Sequence, residues 1–338
     1  MGQLRMSALI DSYGRSHKDL RVSLTDKCSL RCVYCMPEDF SDWLKSDHLL
    51  DTNELMSVIS AAVSAGIEEI RLTGGEPLLR VDIVDIVSII SALPNAPKLS
   101  LTTNGLRLAE LAKPLKEAGL ERINVSLDTL DRDRFIRITH RDRIDDVFAG
   151  LKSARDVGLT PIKINSVLLR GVNDDEAPAL LKWAIREGFS LRFIEQMPLD
   201  AGGIWDRSTM VTAQEVLASL SGHFDLSPAL NRGSSPAEEF YINGTLETVG
   251  IIGSVTQPFC GACDRLRLTS DGQLRSCLFS IEEMDLRKVL RDPTLSRQEI
   301  AREISDRFST TVAGKLPGHG INDPSFIQPR RPMSAIGG

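Results

Sequence analysis

The sequence lacks an excess of positive charge, long apolar runs and an apolar stretch near its start. Its net charge is -6 over 338 residues, which argues against a general binder of nucleic acid or anionic membranes with a basic face. The longest apolar runs, such as residues 84–93, are far too short to cross a bilayer. The first residues have no apolar core like that of a secretory signal, so we expect a cytoplasmic protein with reduced thiols.

Cysteines are sparse, and they form two groups far apart in the chain. The first triplet is Cys28, Cys32 and Cys35, and the second is Cys260, Cys263 and Cys277. Three disulfides are disfavoured, because neither triplet can pair internally without a leftover thiol. Zinc sites and iron–sulfur clusters usually take four protein ligands, so each triplet is one ligand short. We interpret both triplets as metal sites with one open position.

The composition and the strand–helix pattern indicate an α/β protein. Apolar residues make up 42% and charged residues 25% of the chain, which is typical of a globular protein with a sizeable core. Between residues 18 and 197, short strands alternate with amphipathic helices, as in βα units with a parallel sheet. Strands are predicted at 20–25, 69–73, 98–103, 122–127, 161–168 and 191–195. Helices are predicted at 52–65, 82–93, 106–118, 144–157 and 174–187.

Five of these six strands alternate apolar and polar residues, whereas a strand covered by helices on both faces should be apolar throughout. In the first strand, Leu20 and Val22 alternate with Arg21 and Ser23. Because successive side chains point to opposite faces, each such strand has one polar side. We predict a curved sheet or barrel whose polar inner face lines a cavity for anions, since unpartnered buried cations are costly. A half-open sheet with one solvated face is the alternative.

The pattern changes near residue 198, which predicts one domain over residues 1–198 and a second over 199–338. The second part is predicted to contain helices at 212–220, 281–290 and 296–308 and short strands at 238–243 and 246–252. A hairpin is predicted over 266–277, because Asp271-Gly272 is a favoured two-residue turn. This hairpin would bring Cys277 back toward the other two cysteines of its triplet.

Two motifs together resemble those of radical S-adenosylmethionine (SAM) enzymes. The spacing of the first triplet, with Tyr34 before its last cysteine, resembles their cluster loop, and residues 73–77, Thr-Gly-Gly-Glu-Pro, resemble their methionine-binding turn. The second triplet, within residues 260–267 and at 277, is similar to that of the GTP 3′,8-cyclases of molybdenum cofactor biosynthesis. Residues 102–105, 124–126, 163–165 and 192–197 also fit this family. The resemblance covers nearly the whole chain and implies a partial (β/α)6-type TIM barrel with a C-terminal cluster-binding extension over its mouth.

The resemblance implies two [4Fe-4S] clusters, each held by one cysteine triplet, with SAM on the free iron of the first and GTP at the second. Gly74 and Gly75 would let the backbone approach the methionine of SAM closely. The residues implied to contact SAM are Tyr34, Gly75, Ser126 and Met197. Those implied to contact GTP are Arg21, Arg71, Thr102, Lys163, Arg265, Leu266 and Arg267. Arg21, Arg71, Thr102, Ser126 and Lys163 are also predicted to face inward by the strand pattern.

The implied reaction is of the lyase type. A 5′-deoxyadenosyl radical from SAM abstracts hydrogen from C3′ of GTP, and that carbon attacks C8 of guanine to give (8S)-3′,8-cyclo-7,8-dihydroguanosine 5′-triphosphate. An unidentified donor would supply the electron. Family members are often homodimers, and their Gly-Gly tail, here Gly337-Gly338, is thought to reach the active site.

Two alternatives belong to other classes. The first is another two-cluster radical SAM enzyme, a peptide or protein maturase, but such enzymes usually carry more C-terminal cysteines. The second is an electron-transfer or zinc-binding protein without catalysis. The Gly-Gly-Glu-Pro turn and the polar inner face of the strands argue against this second alternative.

Overall fold

The computed structural model describes residues 9–230 and 232–337. In the first half, six strands form as predicted to within two residues at each end, and in five of them apolar and polar residues alternate in the sequence. They are β1 (Asp19–Ser23), β2 (Glu69–Thr73), β3 (Lys98–Thr103), β4 (Arg122–Ser126), β5 (Ile162–Val167) and β6 (Ser190–Ile194).

Six α-helices connect or follow these strands. They are α1 (Thr52–Ser64), α2 (Ile83–Ser91), α3 (Leu108–Glu117), α4 (Arg132–Thr139), α5 (Ile144–Asp156) and α6 (Ala177–Glu187). α1 begins with a capping box, in which Asp51 accepts from the Glu54 backbone N–H and Glu54 accepts from that of Asp51. The short charged helix α4 was not among the predicted elements.

The second half adds six strands and four helices among the described residues. The strands are β7 (Leu226–Pro228), β8 (Glu238–Ile242), β9 (Thr248–Ile252), β10 (Arg265–Leu268), β11 (Gln273–Arg275) and β12 (Met284–Asp285). The helices are α7 (Ala213–Ser221), α8 (Arg287–Leu290), α9 (Arg297–Ala313) and α10 (Met333–Ile336). No helix in the described part of the chain is long and apolar enough to span a membrane.

The helix predicted at 281–290 is wrong in its first half. Met284 pairs with Leu274 of β11, so this segment extends the sheet before the short helix α8 begins. The carboxylate of Glu283 is paired with Arg275 and with Arg331, the latter at 2.7 Å. These long-range ion pairs stabilise an extended segment that the local pattern does not reveal.

All the described strands form one sheet in the order β12-β11-β10-β1-β2-β3-β4-β5-β6-β9-β8-β7. β1 to β6 run parallel to one another. β9 joins the open edge of β6, and β10 joins that of β1, both in parallel. The predicted partial TIM barrel is therefore confirmed, and its C-terminal half extends both of its edges. The division of the chain at residue 198 stays a prediction.

The inner and outer faces of the barrel follow the predicted alternation. Leu20 and Val22 of β1 are fully buried in the core beneath the helices, whereas Arg21 faces the central cavity. The same alternation holds in β6, where Leu191 is in the core and Arg192 faces the cavity. The barrel thus has an apolar layer outside its sheet and a polar interior.

Candidate active site

The first cavity lies at the carboxyl ends of the barrel strands. Its lining includes all three cysteines of the first triplet and all four residues predicted to contact SAM, namely Cys28, Cys32, Cys35, Tyr34, Gly75, Ser126 and Met197. The carboxyl ends of parallel strands are where barrel enzymes place their active sites. The structure thus brings together, in one cavity, two motifs that are about forty residues apart in sequence.

The cluster loop that carries the first triplet is supported by α4. The backbone N–H of Arg31 donates to the Thr139 carbonyl at 3.0 Å, and that of Val33 donates to the Ile138 carbonyl at 2.9 Å. Ile138 and Thr139 also line the first cavity. This support was missed in the sequence, because α4 is only eight residues long and four of them are charged, so its short buried face of Phe135, Ile138 and Thr139 gives a weak helical pattern.

The two glycines of residues 73–77 pack tightly against the cluster loop. A Cβ on Gly75 would lie 2.3 Å from the Asp26 carbonyl oxygen and 2.4 Å from that of Lys27, and one on Gly74 would lie 2.5 Å from that of Thr25. The Gly75 N–H donates to Thr25 O at 2.7 Å. The two glycines therefore let the backbone of the turn approach the cluster loop closely. This contact holds the loop at the edge of the cavity.

Glu76 fixes the same turn from below. Its carboxylate accepts hydrogen bonds from the backbone N–H of Leu78 at 2.9 Å and of Asn104 at 2.6 Å, and from the Thr103 hydroxyl at 2.7 Å. Burial raises the pKa of Glu76 to about 7, although these hydrogen bonds oppose the shift. The Asn104 amide in turn donates to Ser29 of the cluster loop at 3.1 Å. One buried carboxylate thus connects the turn, the end of β3 and the loop.

Tyr34 and Asp128 form a buried pair on the cavity wall. The Tyr34 hydroxyl donates to Asp128 at 2.7 Å, and the other carboxylate oxygen of Asp128 accepts from the Val167 N–H at 2.8 Å. Burial raises the pKa of Asp128 to about 6. The pair fixes the Tyr34 ring against Asp128, which follows Ser126 by two residues in the sequence. SAM is expected at this part of the cavity.

The thiols of the first triplet fit a positively charged metal cluster. Burial raises the pKa of Cys28 to about 11 and that of Cys35 to about 12, and mutual repulsion among the three thiolates contributes to the shifts of Cys32 and Cys35. Three such thiols would remain neutral without a cation, and iron binding deprotonates them. The residues present therefore fit a cluster held by three thiolates.

A second cavity adjoins the first, deeper in the barrel and beneath the C-terminal half. Its described lining contains five arginines and no Asp or Glu: Arg21, Arg71, Arg192, Arg265 and Arg267. Burial lowers the pKa of Arg267 to about 9, and the charge of Arg21 adds to this shift. Buried guanidinium atoms of Arg21 (Nε) and Arg265 (Nη2) have no hydrogen-bond partner among the described residues. Arg21 and Arg192 have only long ion pairs, with Asp19 at 3.8 Å and Glu239 at 4.0 Å. Five guanidinium groups at one cavity indicate a polyanionic ligand.

Not all of the residues predicted to contact GTP line the second cavity. Thr102 lines both cavities, but the Lys163 side chain does not belong to the lining of the second cavity, because it lies two residues below Asn165 on β5. Burial and the charges of Arg192 and Arg122 lower the pKa of Lys163 to about 8. Leu266 is fully buried in the core outside the sheet. Its side chain therefore points away from the cavity, and Leu266 is not among the lining residues.

Arg192 is a cavity residue that the strand pattern missed. It lies on β6 opposite Asn165, and its guanidinium is 4.0 Å from the carboxylate of Glu239. A Cβ on Gly250 would lie 2.9 Å from the Arg192 Cγ, so the glycine of the neighbouring strand makes room for this side chain. The alternation of apolar and polar residues in β6 was obscured by Ile194, an apolar residue on the same inward face as Arg192.

The second cysteine triplet lines the upper wall of the second cavity. Burial raises the pKa of Cys263, but the charges of Arg265 and Lys315 outweigh it and bring the pKa to about 7. Across residues 9–230 and 232–337, no three His, Cys, Asp or Glu side chains converge around the position of a single metal ion. Each triplet is instead arranged along a cavity wall.

The two cavities adjoin and share part of their lining, so ligands bound in them would lie close to one another. Residues lining both are Thr102, Asn165, Ile194, Met197 and Met333. The C-terminal segment closes the barrel beside this shared lining, since the Arg267 guanidinium donates to the Gly337 carbonyl. A Cβ on Gly337 would lie 2.5 Å from the Thr73 Oγ1. Gly337 thus occupies the space between β1 and β2, while Gly338 lies outside the described residues.

Comparisons with known proteins first define the class. Residues 22–184 match the Radical SAM superfamily, and residues 189–320 match Molybdenum Cofactor Synthesis C. The fold resembles Streptococcus suis SuiB bound to S-adenosylmethionine, with a TM-score of 0.59 at 13% identity over 87% of this chain and 69% of that one. It also resembles native anSMEcpe with bound AdoMet and Cp18Cys peptide, with a TM-score of 0.56 at 15% identity over 92% of both chains. The chain has the radical SAM fold.

The family follows from more similar sequences. The GTP 3′,8-cyclase of Streptomyces coelicolor is 55% identical over 333 residues, which cover 98% of this chain and 96% of that protein. The GTP 3′,8-cyclase of Mycolicibacterium smegmatis is 50% identical over 336 residues, covering 98% of this chain and 92% of that protein. The chain belongs to the GTP 3′,8-cyclase family of radical SAM enzymes, as the sequence motifs predicted.

Proposed function

We propose that this protein converts GTP to (8S)-3′,8-cyclo-7,8-dihydroguanosine 5′-triphosphate, the first step of molybdenum cofactor biosynthesis, as a lyase-type radical SAM enzyme. The observation that carries this proposal is the second cavity, with five arginines and no carboxylate among its described lining residues. A triphosphate supplies the negative charge that these buried guanidinium groups require. A peptide substrate would have no comparable need for so many cations.

The cofactors proposed are SAM and two [4Fe-4S] clusters, one at Cys28, Cys32 and Cys35 and one at Cys260, Cys263 and Cys277. When SAM and the first cluster are bound, they supply a 5′-deoxyadenosyl radical after the cluster receives one electron. That electron comes from a donor that the chain itself does not identify.

The residues of the first cavity hold and orient SAM. Gly75 presents its backbone to the ligand, and Tyr34 is fixed by Asp128 at 2.7 Å. Ser126 and Met197 complete the wall, with Met197 facing both cavities. Their common role is to orient SAM and to exclude water from it, and both effects contribute to the rate of the reaction.

The residues of the second cavity hold the nucleotide. Arg21, Arg71 and Arg192 face it from three barrel strands, and Arg265 and Arg267 face it from β10. The guanidinium forks suit phosphate oxygens, so the triphosphate is placed among them. The guanine is then placed at the second triplet and the ribose at the wall shared with SAM. This arrangement brings C3′ of GTP toward the first cavity, where hydrogen abstraction takes place.

Anaerobic incubation of the iron-loaded protein with SAM, GTP and a strong reductant tests the proposal directly. We expect 5′-deoxyadenosine to form in a GTP-dependent manner, together with the cyclised nucleotide, and about eight irons per chain. Mass spectrometry and iron analysis measure both. The proposal is wrong if GTP remains unchanged, if 5′-deoxyadenosine forms equally without GTP, or if the purified protein holds zinc and no iron.

Arg192→Met is expected to raise the KM for GTP about ten- to a hundredfold, because a charge-assisted hydrogen bond contributes roughly 1.5–3 kcal/mol. Binding of SAM should be unchanged. Arg122→Met is the matched control, since Arg122 is on β4, two strands away in the sheet, but pairs with Glu69 at 2.9 Å and is not among the lining residues of the cavity. Steady-state kinetics at saturating SAM compare the two. A KM for the Arg192 variant equal to that of the control would contradict the phosphate role.

A further inference from the structure

Lys315 lies against the second cysteine triplet and is not among the lining residues of the second cavity. Its ammonium donates to the Arg265 carbonyl at 2.6 Å and to the Cys263 sulfur at 3.6 Å. The side chain comes from the segment just after α9, 52 residues from Cys263. Only 4% of the residue is exposed. A buried ammonium is therefore placed in contact with the sulfur of a proposed iron ligand.

Without an iron–sulfur cluster at the second triplet, the charges around Lys315 are unbalanced. The charged groups that act most strongly on it are the thiols of Cys263 and Cys277 and the guanidinium groups of Arg15 and Arg265. A buried cation among cations is costly unless an anion faces it. The negative charge available at this place is that of thiolates bound to iron. Lys315 and an iron–sulfur cluster at this triplet thus stabilise one another.

Arg15 fixes the position of Lys315 relative to the triplet. Its guanidinium donates to the Cys260 carbonyl at 2.8 Å and to the carbonyls of Leu316 at 2.7 Å and Pro317 at 3.2 Å. Asp11 neutralises Arg15 through a hydrogen bond of 2.5 Å to its Nε. Arg15 therefore ties the turn that begins at Cys260 to the residues immediately after Lys315. The ammonium is held in place by the fold and does not sample solvent.

We propose that Lys315 is a positioning residue that raises the reduction potential of the C-terminal cluster. This inference rests on the proposed cluster at the second triplet. Reduction adds one electron and increases the negative charge of a cluster, so a fixed ammonium that donates to a ligand sulfur stabilises the reduced form more than the oxidised form. At the first triplet, the side chain that donates to Cys28 Sγ is the neutral amide of Asn104, at 3.7 Å. The two clusters would therefore differ in potential, with the C-terminal one more easily reduced.

The test is an EPR-monitored redox titration of the full chain carrying both clusters. The signal of the C-terminal cluster is the one that is absent from the Cys277→Ser variant. In Lys315→Met we expect the reduction equilibrium of this cluster to shift at least tenfold toward the oxidised form, which is about 59 mV for a one-electron couple. The signal of the other cluster should not move. Lys315→Arg, which keeps the charge, should stay within about threefold of the wild type.

Lys152→Met serves as the matched control, because Lys152 is exposed and pairs with Asp156 far from either triplet. An unchanged C-terminal potential in Lys315→Met, or an equal shift of both clusters, overturns the inference. If Lys315→Met loses about four irons, Lys315→Gln is titrated in its place and must show the same shift. If the Met and Gln variants lose the C-terminal cluster and the Arg variant keeps it, the result supports a need for the positive charge of Lys315. If the Arg variant loses the cluster as well, Lys315 has a packing role and the inference is overturned.

The outcome also separates this inference from the function on which it rests. Wild-type protein with only about four irons per chain would contradict the proposed second cluster itself. Wild-type protein with about eight irons and normal GTP turnover, together with an unshifted Lys315→Met potential, would contradict the role of Lys315 alone.

Discussion

Cys28→Ser is expected to abolish formation of 5′-deoxyadenosine, whereas Cys277→Ser is expected to abolish GTP turnover while leaving cleavage of SAM possible. Clusters are held by thiolates, and a serine hydroxyl does not replace a thiolate at neutral pH. Cys28 lines the cavity that contains the predicted SAM contacts, and Cys277 lines the cavity of the arginines. The two substitutions are chemically identical, so each is the matched control of the other.

Quantification of 5′-deoxyadenosine and of the cyclised nucleotide distinguishes the two variants. We expect less than a hundredth of the wild-type 5′-deoxyadenosine from Cys28→Ser, because loss of a cluster removes the chemistry that the protein cannot supply. Iron analysis should give about four irons per chain in either variant. Retention of GTP turnover in Cys277→Ser would refute the assignment of the second triplet to substrate binding.

Gly75→Ala has the second large expected effect. A Cβ at this position would lie within 2.4 Å of two carbonyl oxygens, those of Asp26 and Lys27, so the cluster loop must move away from the turn. A displacement of about 1 Å can cost a hundredfold in rate where reacting groups are positioned. We therefore expect at least a hundredfold loss of SAM cleavage together with weaker SAM binding.

Gly222→Ala is the control for this substitution. Gly222 caps α7 far from the cavities, and its added Cβ would meet its nearest atom, the Ser219 carbonyl oxygen, at 3.5 Å, an ordinary contact. Equilibrium dialysis with labelled SAM and the rate of 5′-deoxyadenosine formation compare the two variants. Normal SAM cleavage in Gly75→Ala would show that the loop tolerates movement and that its contact with the turn does not position the cluster.

Local patterns predicted the barrel well, because each strand needs an apolar side toward the helices and a polar side toward the ligands. Arg21 and Arg71 were assigned correctly to the inner face for this reason. Arg192 was missed, since its inward neighbour Ile194 is apolar and hides the alternation. The period of two identifies which face a residue occupies, but not how deep it lies in the barrel. The position of Lys163 below the second cavity therefore required the structure.

Contacts between distant segments were beyond the reach of the sequence. Nothing near α4 in sequence indicates that its end supports the cluster loop. Lys315 was not predicted to face Cys263, because the interaction depends on how α9 packs rather than on a spacing. The helix predicted at 281–290 failed for the same reason, as Glu283 is committed to two distant arginines. Tertiary contacts of this kind override local propensity.

The pairing of β10 with β1 has a consequence for how the chain folds during synthesis. Asp19 pairs with Arg265, and β9 likewise covers the edge of β6. Until the ribosome has made these late strands, a nascent barrel exposes two unpaired edges that can add strands from other chains. Such distant pairings also slow folding, because loop closure precedes the stabilising contacts. The nascent N-terminal half is therefore the species most exposed to aggregation, and a chaperone that shields sheet edges would increase the yield of folded protein.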